Sequence, residues 1–441
     1  MGRLSFWDRV MAARCSQCIS LSSSDMHYDL TTLPNGLRII SQDMPSLRSL
    51  SIGAWVGTGS RDETPVESGA SHFLEHLLFK GSDTWSARQI SEAFDAIGAR
   101  HNAFTSKEYT CYWARLRDAD LDLGVEILGE MLQQPAFRQE EIDNERGVVL
   151  EEINMNEDDP TDVAHEQFIT AMWEHHPLAP PILGTRDSIN AMTRDTIRGY
   201  WNRRYSPEST VIAAAGRIDH ATLVETVGGA FGGWEGSTDG RDLSTPDTQE
   251  RVAVRHRDTE QAHLILGGPS LTRDDDRRYA LLIADHVLGG GMSSRLFHEI
   301  RESRGLAYAV HAFRMPFTDA GANAVYVGTT PSQTAEVLKL VRAEMDKMME
   351  SGVTDEELQR AKGHIQGSLA ISLEDADGRM NRLGRNEISG MEHRSVDEIV
   401  ESVDAVTSED VIEVSRAAYG GPYVIGATGP FDDSDLEEYV R

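Results

Sequence analysis

The same order of elements occurs twice along this chain. Residues 49–81 begin with the apolar run "SLSIGAWV" and continue through a polar turn into a helical pattern that stops at Gly81. Residues 261–291 repeat that order, from "QAHLILGG" through "PSLTRDDD" to a second helical pattern that ends in glycines. Because a repeated order of strand, turn and helix indicates an internal duplication, we infer two copies of one α+β unit. Two unrelated α+β domains are the alternative.

Length and polar segments set the expected domain organisation. A chain of 441 residues is longer than one hydrophobic core usually supports, so two or more domains are expected. Residues 234–250 are polar and rich in Gly, Ser, Thr, Asp and Pro, which is typical of a linker. We predict an N-terminal half over residues 26–233 and a C-terminal half over residues 251–441, each a mainly antiparallel sheet with helices packed on it.

The charge of the chain limits its partners. Lys and Arg number 42 against 72 Asp and Glu, a formal net charge of −30, which argues against a protein that binds nucleic acid through phosphate contacts. A field of that sign would attract basic peptides. An acidic surface that only keeps the protein in solution is the alternative. No run reaches the roughly 18 apolar residues that a membrane helix needs, so no membrane insertion is expected.

The cysteines and the N-terminal residues bear on the compartment. Cys15, Cys18 and Cys111 give no disulfide framework and suit a reducing compartment, so a cytoplasmic location is expected. Cys15 and Cys18 have no second pair to complete a four-ligand metal site. Residues 1–25 are predicted to be a disordered N-terminal extension. Their arginines and helically spaced apolar residues make an organellar targeting segment, and hence the mitochondrial matrix, the alternative.

The run "SHFLEH" carries two histidines that are four residues apart. Helical residues advance by about 100°, so His72 and His76 fall about 40° apart on one face and both imidazoles can reach one ion. Glu75 lies on the flank of that face, where its carboxylate could contact water beside the metal without binding the metal itself. The order His-x-x-Glu-His is the inverted form of the familiar zinc-protease motif.

Two histidines leave a catalytic zinc site one protein ligand short. The helical segment "NERGVVLEEINMN" carries Glu145 and Glu152 about 20° apart on one face. Val148 and Val149 lie between them on the same face, and two carboxylates on an apolar stripe are costly to bury unless something compensates. We therefore take Glu152 as the third ligand, since the competing Glu151 points about 100° away. A solvated acidic face is the alternative for this helix.

The inferred duplication has a register that bears on this metal site. Laying His286 on His76 also lays Asp285 on Glu75, but Leu282 then stands where the first copy has His72. We therefore expect the C-terminal half to be a degenerate copy without a metal site.

These motifs resemble those of the pitrilysin-family (M16) metallopeptidases, of the short, two-half kind typified by the catalytic subunit of the mitochondrial processing peptidase and its bacterial homologues. The shared features are "HFLEH", "HNAFTSKE", "ERGVVLEEI" and "GGGMSSRLFHEIRESRGLAYAV", which span the chain from about Asp29 to Ala417. The resemblance implies two similar halves, joined by the linker into a clam-like chamber.

The resemblance also assigns roles to the residues of the motifs. It implies one Zn²⁺ ion held by His72, His76 and Glu152. Glu75 would be the general base that acts on water, and Glu145 an auxiliary acidic catalytic residue. In the family the third ligand follows the glutamate of a Glu-Arg pair by seven residues, which here leads from Glu145 to Glu152.

Two further sets of residues are assigned by the resemblance. Asn102, Ala103, Phe104 and Thr105 match a strand that pairs with the substrate backbone in relatives, and the first three are expected to bind substrate. Arg301 and Tyr308 match a pair that reaches the substrate carbonyl and the metal site from the C-terminal half. For Arg301, a surface ion pair with a neighbouring glutamate is the alternative.

The function expected from the resemblance is that of a zinc-dependent endopeptidase. It would cleave extended, basic peptides or presequences inside a closed chamber. Some members of the family are instead non-catalytic scaffold subunits of respiratory complexes or inactive partners in a heterodimer, and this is the alternative. By family analogy alone, a homodimer is expected.

Overall fold

The computed structural model describes residues 28–441. Cys15, Cys18 and the predicted N-terminal extension lie outside the described residues, so the expectations for that segment stay predictions. Within the described part of the chain, no helix is both long enough and apolar enough to cross a membrane.

The first half forms one sheet with helices of its own on one face. Its elements are, in order, β1 (Asp29–Thr32), β2 (Arg38–Asp43), β3 (Ser49–Val56), α1 (Ala70–Leu78), α2 (Ala87–Ala96), β4 (Arg100–Thr105), β5 (Thr110–Arg117), α3 (Leu121–Gln133), α4 (Gln139–Asp158), α5 (Pro160–Trp173), α6 (Arg186–Ala191), α7 (Arg194–Arg204), β6 (Thr210–Gly216) and α8 (His220–Phe231). The strand order across the sheet is β1-β2-β6-β3-β5-β4, and every pair is antiparallel except β2 with β6.

The alternation of side chains along β3 separates the two faces of this sheet. Ile52 and Ala54 point into the core that also contains Phe73 and Leu77 of α1. Trp55 points to the opposite face. The sheet and these apolar contacts therefore fix the orientation of α1, the helix that carries the predicted histidine ligands.

The second half repeats the architecture after the linker. Its elements are β7 (Arg251–His256), β8 (Ala262–Pro269), α9 (Arg278–Gly289), β9 (Ala307–Pro316), β10 (Gly321–Thr329), α10 (Thr334–Ser351), α11 (Asp355–Ser372), α12 (Ala376–Ile388), α13 (Val396–Asp404), α14 (Ser408–Tyr419), β11 (Val424–Gly429) and α15 (Asp433–Leu436). The strand order is β7-β11-β8-β10-β9, with β7 and β11 parallel and the other pairs antiparallel.

The two sheets have the same connectivity. Strands β2 to β6 of the first sheet correspond in chain order to β7 to β11 of the second, and their spatial orders then coincide, with β1 as an additional edge strand. Helix α1 follows β3 as α9 follows β8. The predicted fold class, α+β in two similar halves with mainly antiparallel sheets, is confirmed, and the shared connectivity supports the inferred duplication.

Each half covers the sheet of the other half with one helix. Helix α5 packs on β7, β8 and β11, where Phe168 is fully buried. Helix α12 packs on β2, β3 and β6, with Met380 and Leu383 in the same cluster as Trp55. A Cβ at Gly384 would overlap the Trp55 indole, so this close approach requires glycine. The halves therefore share two cores across their junction.

The linker is anchored to both halves. Residues 232–250 contain no helix or strand. Arg241 donates to both carboxylate oxygens of Asp62 at 2.8 and 2.7 Å, and the Ser244 N–H donates to Asp319 Oδ2 at 2.8 Å. Asp319 also accepts two hydrogen bonds from Arg61 of the first half, at 2.8 and 2.9 Å. Any separation of the two halves at this point has to break the Arg61–Asp319 ion pair.

Candidate metal centre

A buried carboxylate holds the N-terminus of α1. Glu63 accepts hydrogen bonds from the N–H groups of Gly69 and Ser71, both at 2.7 Å, which satisfies two donors at the helix start. Burial raises the pKa of Glu63 to about 8, although the backbone donors oppose the shift. Gly69 has a φ of 89°, and a Cβ there would lie 2.7 Å from the Leu183 carbonyl oxygen, so the turn into α1 requires glycine. The sequence patterns did not predict the contact of Glu63.

The two histidines of α1 are adjacent on one face, as their spacing predicts. The ring centroids of His72 and His76 are 4.7 Å apart. Burial and, secondly, the neighbouring His76 lower the pKa of His72 to about 4. His72 is therefore neutral at pH 7, and the lone pair of its Nε2 is available to a metal ion.

Helix α4 packs beside α1 and presents the two predicted glutamates to it. Glu145 is buried, Glu152 is partly buried, and the competing Glu151 is exposed. The predicted apolar stripe is partly wrong, because Val149 is fully buried whereas Val148 is 44% exposed. The inward face of α4 is centred on Val149, so Glu152 lies at the edge of that face and Val148 lies outside it.

Three potential ligand atoms converge at this point. Nε2 of His72 and Nε2 of His76 each lie 3.4 Å from one carboxylate oxygen, Glu152 Oε2. Ligand atoms about 2.0–2.2 Å from a tetrahedral zinc ion are about 3.3–3.6 Å from one another, so these separations fit such an ion. Among residues 28–441, these three residues are the one group of three side chains found that could hold a metal.

The surroundings of Glu152 also fit a bound cation. Its Oε2 atom is buried and accepts no hydrogen bond from the described residues. A buried carboxylate oxygen without a donor is costly unless a cation compensates its charge. Two imidazoles and one carboxylate are a donor set typical of zinc.

Glu145 lies behind His76 instead of in the ligand group. Its Oε2 accepts a hydrogen bond from His76 Nδ1 at 3.1 Å, and its Oε1 lies 2.7 Å from Lys80 Nζ. A carboxylate that accepts from Nδ1–H fixes the tautomer and the ring orientation that leave Nε2 free to bind a metal. Lys80 is a third member of this chain of contacts, and the sequence patterns did not identify it.

Glu75 lies next to the ligand group without belonging to it. Its Oε2 accepts a hydrogen bond of 2.6 Å from Thr105 Oγ1 at the end of β4. Burial raises the pKa of Glu75, and the Thr105 hydroxyl partly offsets that shift. A carboxylate with a raised pKa suits proton transfer near neutral pH. The Thr105 contact is a second feature that the sequence patterns did not reveal.

A free strand edge and a cavity lie beside the ligand group. Strand β4 is an edge strand of the first sheet, and its outer edge has no partner strand among the described residues. Ala103 and Phe104 of this strand, together with His72 and Glu75, line a cavity of about 620 Å³. Asn102 is exposed on the same strand. This edge can accept an extended peptide as an additional strand.

Arg301 and Tyr308 lie together but apart from the ligand group. The Arg301 guanidinium is 4.7 Å from the centre of the Tyr308 ring and 4.9 Å from that of Phe297. Tyr308 is 81% exposed, and neither residue lines the cavity beside the metal ligands. Their contact with substrate stays a prediction. The alternative ion pair of Arg301 is not present among residues 28–441, where Glu299 instead contacts Arg304 at 3.5 Å.

The counterpart positions in α9 are engaged in other contacts. Asp285, the counterpart of Glu75, is buried and accepts hydrogen bonds from Asn323 Nδ2 at 2.8 Å and from Tyr419 OH at 2.9 Å. His286 stacks on His364 with ring centroids 4.1 Å apart. In the second half as described, no group of three potential metal ligands occurs. The expectation of a degenerate copy without a metal site stays a prediction.

Family models and curated relatives match the chain. A model described as Insulinase (Peptidase family M16) matches residues 38–186, and one described as Peptidase M16 inactive domain matches residues 191–364. An uncharacterized zinc protease of Streptomyces coelicolor is 46% identical over 414 residues, which covers 91% of this chain and 90% of that protein. An uncharacterized zinc protease of Bacillus subtilis is 39% identical over 399 residues, which covers 90% of this chain and 97% of that protein.

Solved structures share the fold. A structure described as a peptidase M16 inactive domain from Pseudomonas fluorescens has a TM-score of 0.87 at 19% identity and covers 92% of this chain and 98% of its own. A protease from Helicobacter pylori has a TM-score of 0.85 at 21% identity, covering 92% of this chain and 99% of its own. These two similarities concern the fold alone. Since curated relatives at 39–46% identity also extend over nine-tenths of the chain, the protein belongs to the M16 family of peptidases.

Proposed function

We propose that this chain is a zinc-dependent endopeptidase that cleaves extended, basic peptides. The observation that carries the proposal is the approach of His72 Nε2 and His76 Nε2 to Glu152 Oε2, a buried oxygen with no hydrogen-bond donor. Three protein ligands leave the fourth position of a tetrahedral ion open, which is typical of catalytic zinc sites. Curated relatives that are named zinc proteases support the same metal.

The proposed chemistry divides among a few side chains. Zinc, when bound, supplies a Lewis acid that polarises the carbonyl of the scissile peptide. Glu75 takes a proton from the attacking water and returns it to the nitrogen of the leaving amine. Thr105 donates to one oxygen of the Glu75 carboxylate, so the other oxygen is left for the proton transfer. Glu145 keeps the His76 ring oriented through its Nδ1 atom.

Substrate would bind as an extended strand on the outer edge of β4. Its backbone would pair with Asn102, Ala103 and Phe104. Since β4 ends at Thr105, whose hydroxyl contacts Glu75, this pairing brings a substrate peptide bond to the proposed base. This pairing uses the backbone of the substrate and does not select among its side chains.

Carboxylates beside the cavity support a preference for basic peptides. Glu166 lines the cavity, as do Lys107 and Arg255. Burial raises the pKa of Glu166, Asp162 and Glu157 add to the rise, and Lys107 and Arg255 oppose it. A basic side chain of the substrate would relieve the repulsion among these carboxylates. The Lys107 amine is itself engaged with the Pro180 carbonyl oxygen.

Arg301 and Tyr308 are proposed to contact the substrate carbonyl when the two halves approach each other. Tyr308 lies on β9, and Arg301 precedes that strand. This location supports the role, because β9 is the edge strand of the second sheet and the counterpart of β4. Such an approach would enclose the substrate in a chamber and exclude folded proteins.

The Glu75→Gln variant tests the proposed base. We expect cleavage of a quenched-fluorescent basic peptide to fall by about 100-fold or more, with the zinc content unchanged. Glu151→Gln, at an exposed position of α4, is the matched control and should keep full turnover. Near-normal turnover of Glu75→Gln would assign the base elsewhere.

Peptide cleavage and zinc content together distinguish a peptidase from a scaffold subunit or a partner in a heterodimer. Mass-spectrometric mapping of peptides cut by the wild type and spared by Glu75→Gln would define the substrates. A chain that holds no zinc and cuts no peptide would be a scaffold, and activity that requires a second subunit would indicate a heterodimer. Light scattering of the purified chain tests the expected homodimer.

A further inference from the structure

The second half contributes an arginine to the cavity beside the candidate metal ligands. Arg255 of β7 lines this cavity of about 620 Å³ together with Glu75 and Glu166 of the first half. Among the described residues, every other residue that lines the cavity also belongs to the first half. The second half therefore reaches the proposed peptidase site through Arg255.

The pairing of β7 with α5 determines where Arg255 lies. The alternation of side chains along β7 places Arg251, Ala253 and Arg255 on one face of the sheet. Ala253 packs against the apolar cluster that contains Phe168 of α5, so this is the face that α5 covers. Arg251 forms an ion pair with Glu174, the C-cap residue of α5. The beginning of β7 therefore lies beside the end of α5.

Arg255 and Glu166 lie at the same height along these two elements. Arg255 follows Arg251 by four residues, which is about 13 Å along a strand. Glu166 precedes Glu174 by eight residues, which is about 12 Å along a helix. In agreement, Arg255 interacts electrostatically with Glu166, and both line the cavity. Because neither residue forms an ion pair within residues 28–441, the cavity separates their charges.

The guanidinium group of Arg255 is free to bind a ligand. Arg255 is exposed, and its side chain makes no hydrogen bond or ion pair with any residue in the described range. Lys107, the other cation that lines the cavity, is only 7% exposed and donates to the carbonyl oxygen of Pro180. Of the two cations, Arg255 therefore keeps all of its N–H donors, and their planar arrangement matches a carboxylate.

We propose that Arg255 binds a carboxylate of the peptide substrate, so that the chain prefers peptides that contain acidic as well as basic residues. This inference rests on the proposed peptidase function. A guanidinium binds a carboxylate through two parallel hydrogen bonds, which are stronger than hydrogen bonds between neutral groups. An extended peptide directs every second side chain to the same face, so one peptide can present a basic side chain to Glu166 and an acidic one to Arg255.

The overall charge of the chain makes this preference diagnostic. A protein with a net charge of −30 repels an acidic peptide at long range. Replacement of a glutamine by a glutamate in the peptide should therefore weaken binding wherever no local cation meets the new charge. Tighter binding of the glutamate peptide requires such a cation, and Arg255 is the one that the structure offers without a partner among the described residues.

Fluorescence anisotropy with the full-length Glu75→Gln chain in the presence of zinc tests the proposal, because this readout does not require cleavage. The probe is a labelled peptide of Ala, Ser and a single Lys with an amidated C-terminus, into which Glu or Gln is placed at each other position in turn. A second series has a free C-terminus. We expect Glu to bind about tenfold more tightly than Gln at one position, and Arg255→Gln to abolish this difference.

Two further variants complete the test. Arg255→Lys keeps the charge but loses the paired hydrogen bonds, so it should retain part of the preference. Arg88→Gln is the matched control, because the Arg88 side chain is 86% exposed on α2 and does not line the cavity. This control should keep the full preference for Glu over Gln.

The outcomes separate this inference from the peptidase function. Loss of the preference in Arg255→Gln but not in Arg88→Gln supports the inference. A preference for the free C-terminus over the amide that depends on Arg255 also supports it and identifies the terminal carboxylate as the group bound. No binding of any peptide, equal binding of all forms, or a preference that survives Arg255→Gln would overturn it. Carboxylate-dependent binding together with no cleavage by the wild type would instead overturn the peptidase function.

Discussion

Replacement of Glu145 tests how far the proposed metal centre depends on a residue outside the candidate ligand group. Glu145→Ala removes the acceptor 3.1 Å from His76 Nδ1 and leaves Lys80 without the carboxylate oxygen that lies 2.7 Å from its Nζ. The His76 ring can then rotate or adopt the tautomer that protonates Nε2. Partners of this kind typically contribute 10–100-fold to metal affinity, or about 1.4–2.7 kcal/mol. Glu145 is only 7% exposed, so water competes little for this hydrogen bond and we expect the upper part of that range.

A competition titration with a chromophoric zinc chelator measures this effect. Glu145→Gln keeps an acceptor oxygen and loses the charge, so its zinc affinity should fall by about tenfold, less than that of Glu145→Ala. Glu151→Ala on the same helix is the control and should bind zinc as the wild type does. Wild-type zinc affinity in Glu145→Ala, together with a loss of kcat as large as that of Glu75→Gln, would refute the positioning role and place Glu145 in the chemical step.

Three further predictions concern the base, acid stability and the junction. Thr105→Val removes the hydrogen bond to Glu75, and we expect kcat to fall by about tenfold at unchanged zinc affinity, measured by steady-state kinetics. Glu357 is paired with Arg295 and accepts a hydrogen bond of 2.8 Å from the N–H of the N-cap residue Thr354; these contacts outweigh the effect of burial and lower its pKa to about 2. Its contribution to stability, on the order of 1 kcal/mol after solvent screening, is therefore present above the unfolded pKa near 4.5 and is lost as pH falls towards 2, so Glu357→Gln should flatten acid unfolding in that window. Gly384→Ala drives a methyl group into a buried indole and should destabilise the fold by about 1–3 kcal/mol in denaturant melts.

Each of these three predictions has a matched control variant. Thr105→Ser keeps a hydroxyl and should retain most of kcat. Glu356→Gln changes a neighbouring glutamate whose side chain is 88% exposed, and its acid unfolding should follow the wild type. Gly367→Ala places a methyl group in open space on α11 and should not destabilise the protein. A control that behaves like its partner variant would show that the proposed contact is not the cause.

The placement of the candidate metal ligands on their helices could be predicted from sequence because it follows from helical periodicity. Spacings of four residues in α1 and of seven in α4 place His72 beside His76 and Glu145 near Glu152 on their helices. Periodicity did not predict correctly which residues of α4 are buried, because Val148 lies outside the buried face. Helical periodicity does not predict that α1 packs against α4; the resemblance to a family implied it.

Contacts between distant elements could not be read from the patterns. Thr105 meets Glu75 because β4 ends beside α1, and Lys80 meets Glu145 because α4 crosses the end of that helix. The exchange of α5 and α12 between the halves is similar: an amphipathic pattern shows that a face is buried, but not which sheet covers it. The proposed contact of Tyr308 with substrate depends on how closely the halves approach, which no local pattern encodes.

The convergence of three distant side chains on one zinc ion is tested most directly by the metal content of the purified chain. We predict about one zinc per chain for the wild type and for Glu151→Gln, and a strong reduction for Glu152→Gln, because only Glu152 presents an oxygen to both imidazoles. Full zinc occupancy in Glu152→Gln, or loss of zinc in Glu151→Gln instead, would contradict the assignment.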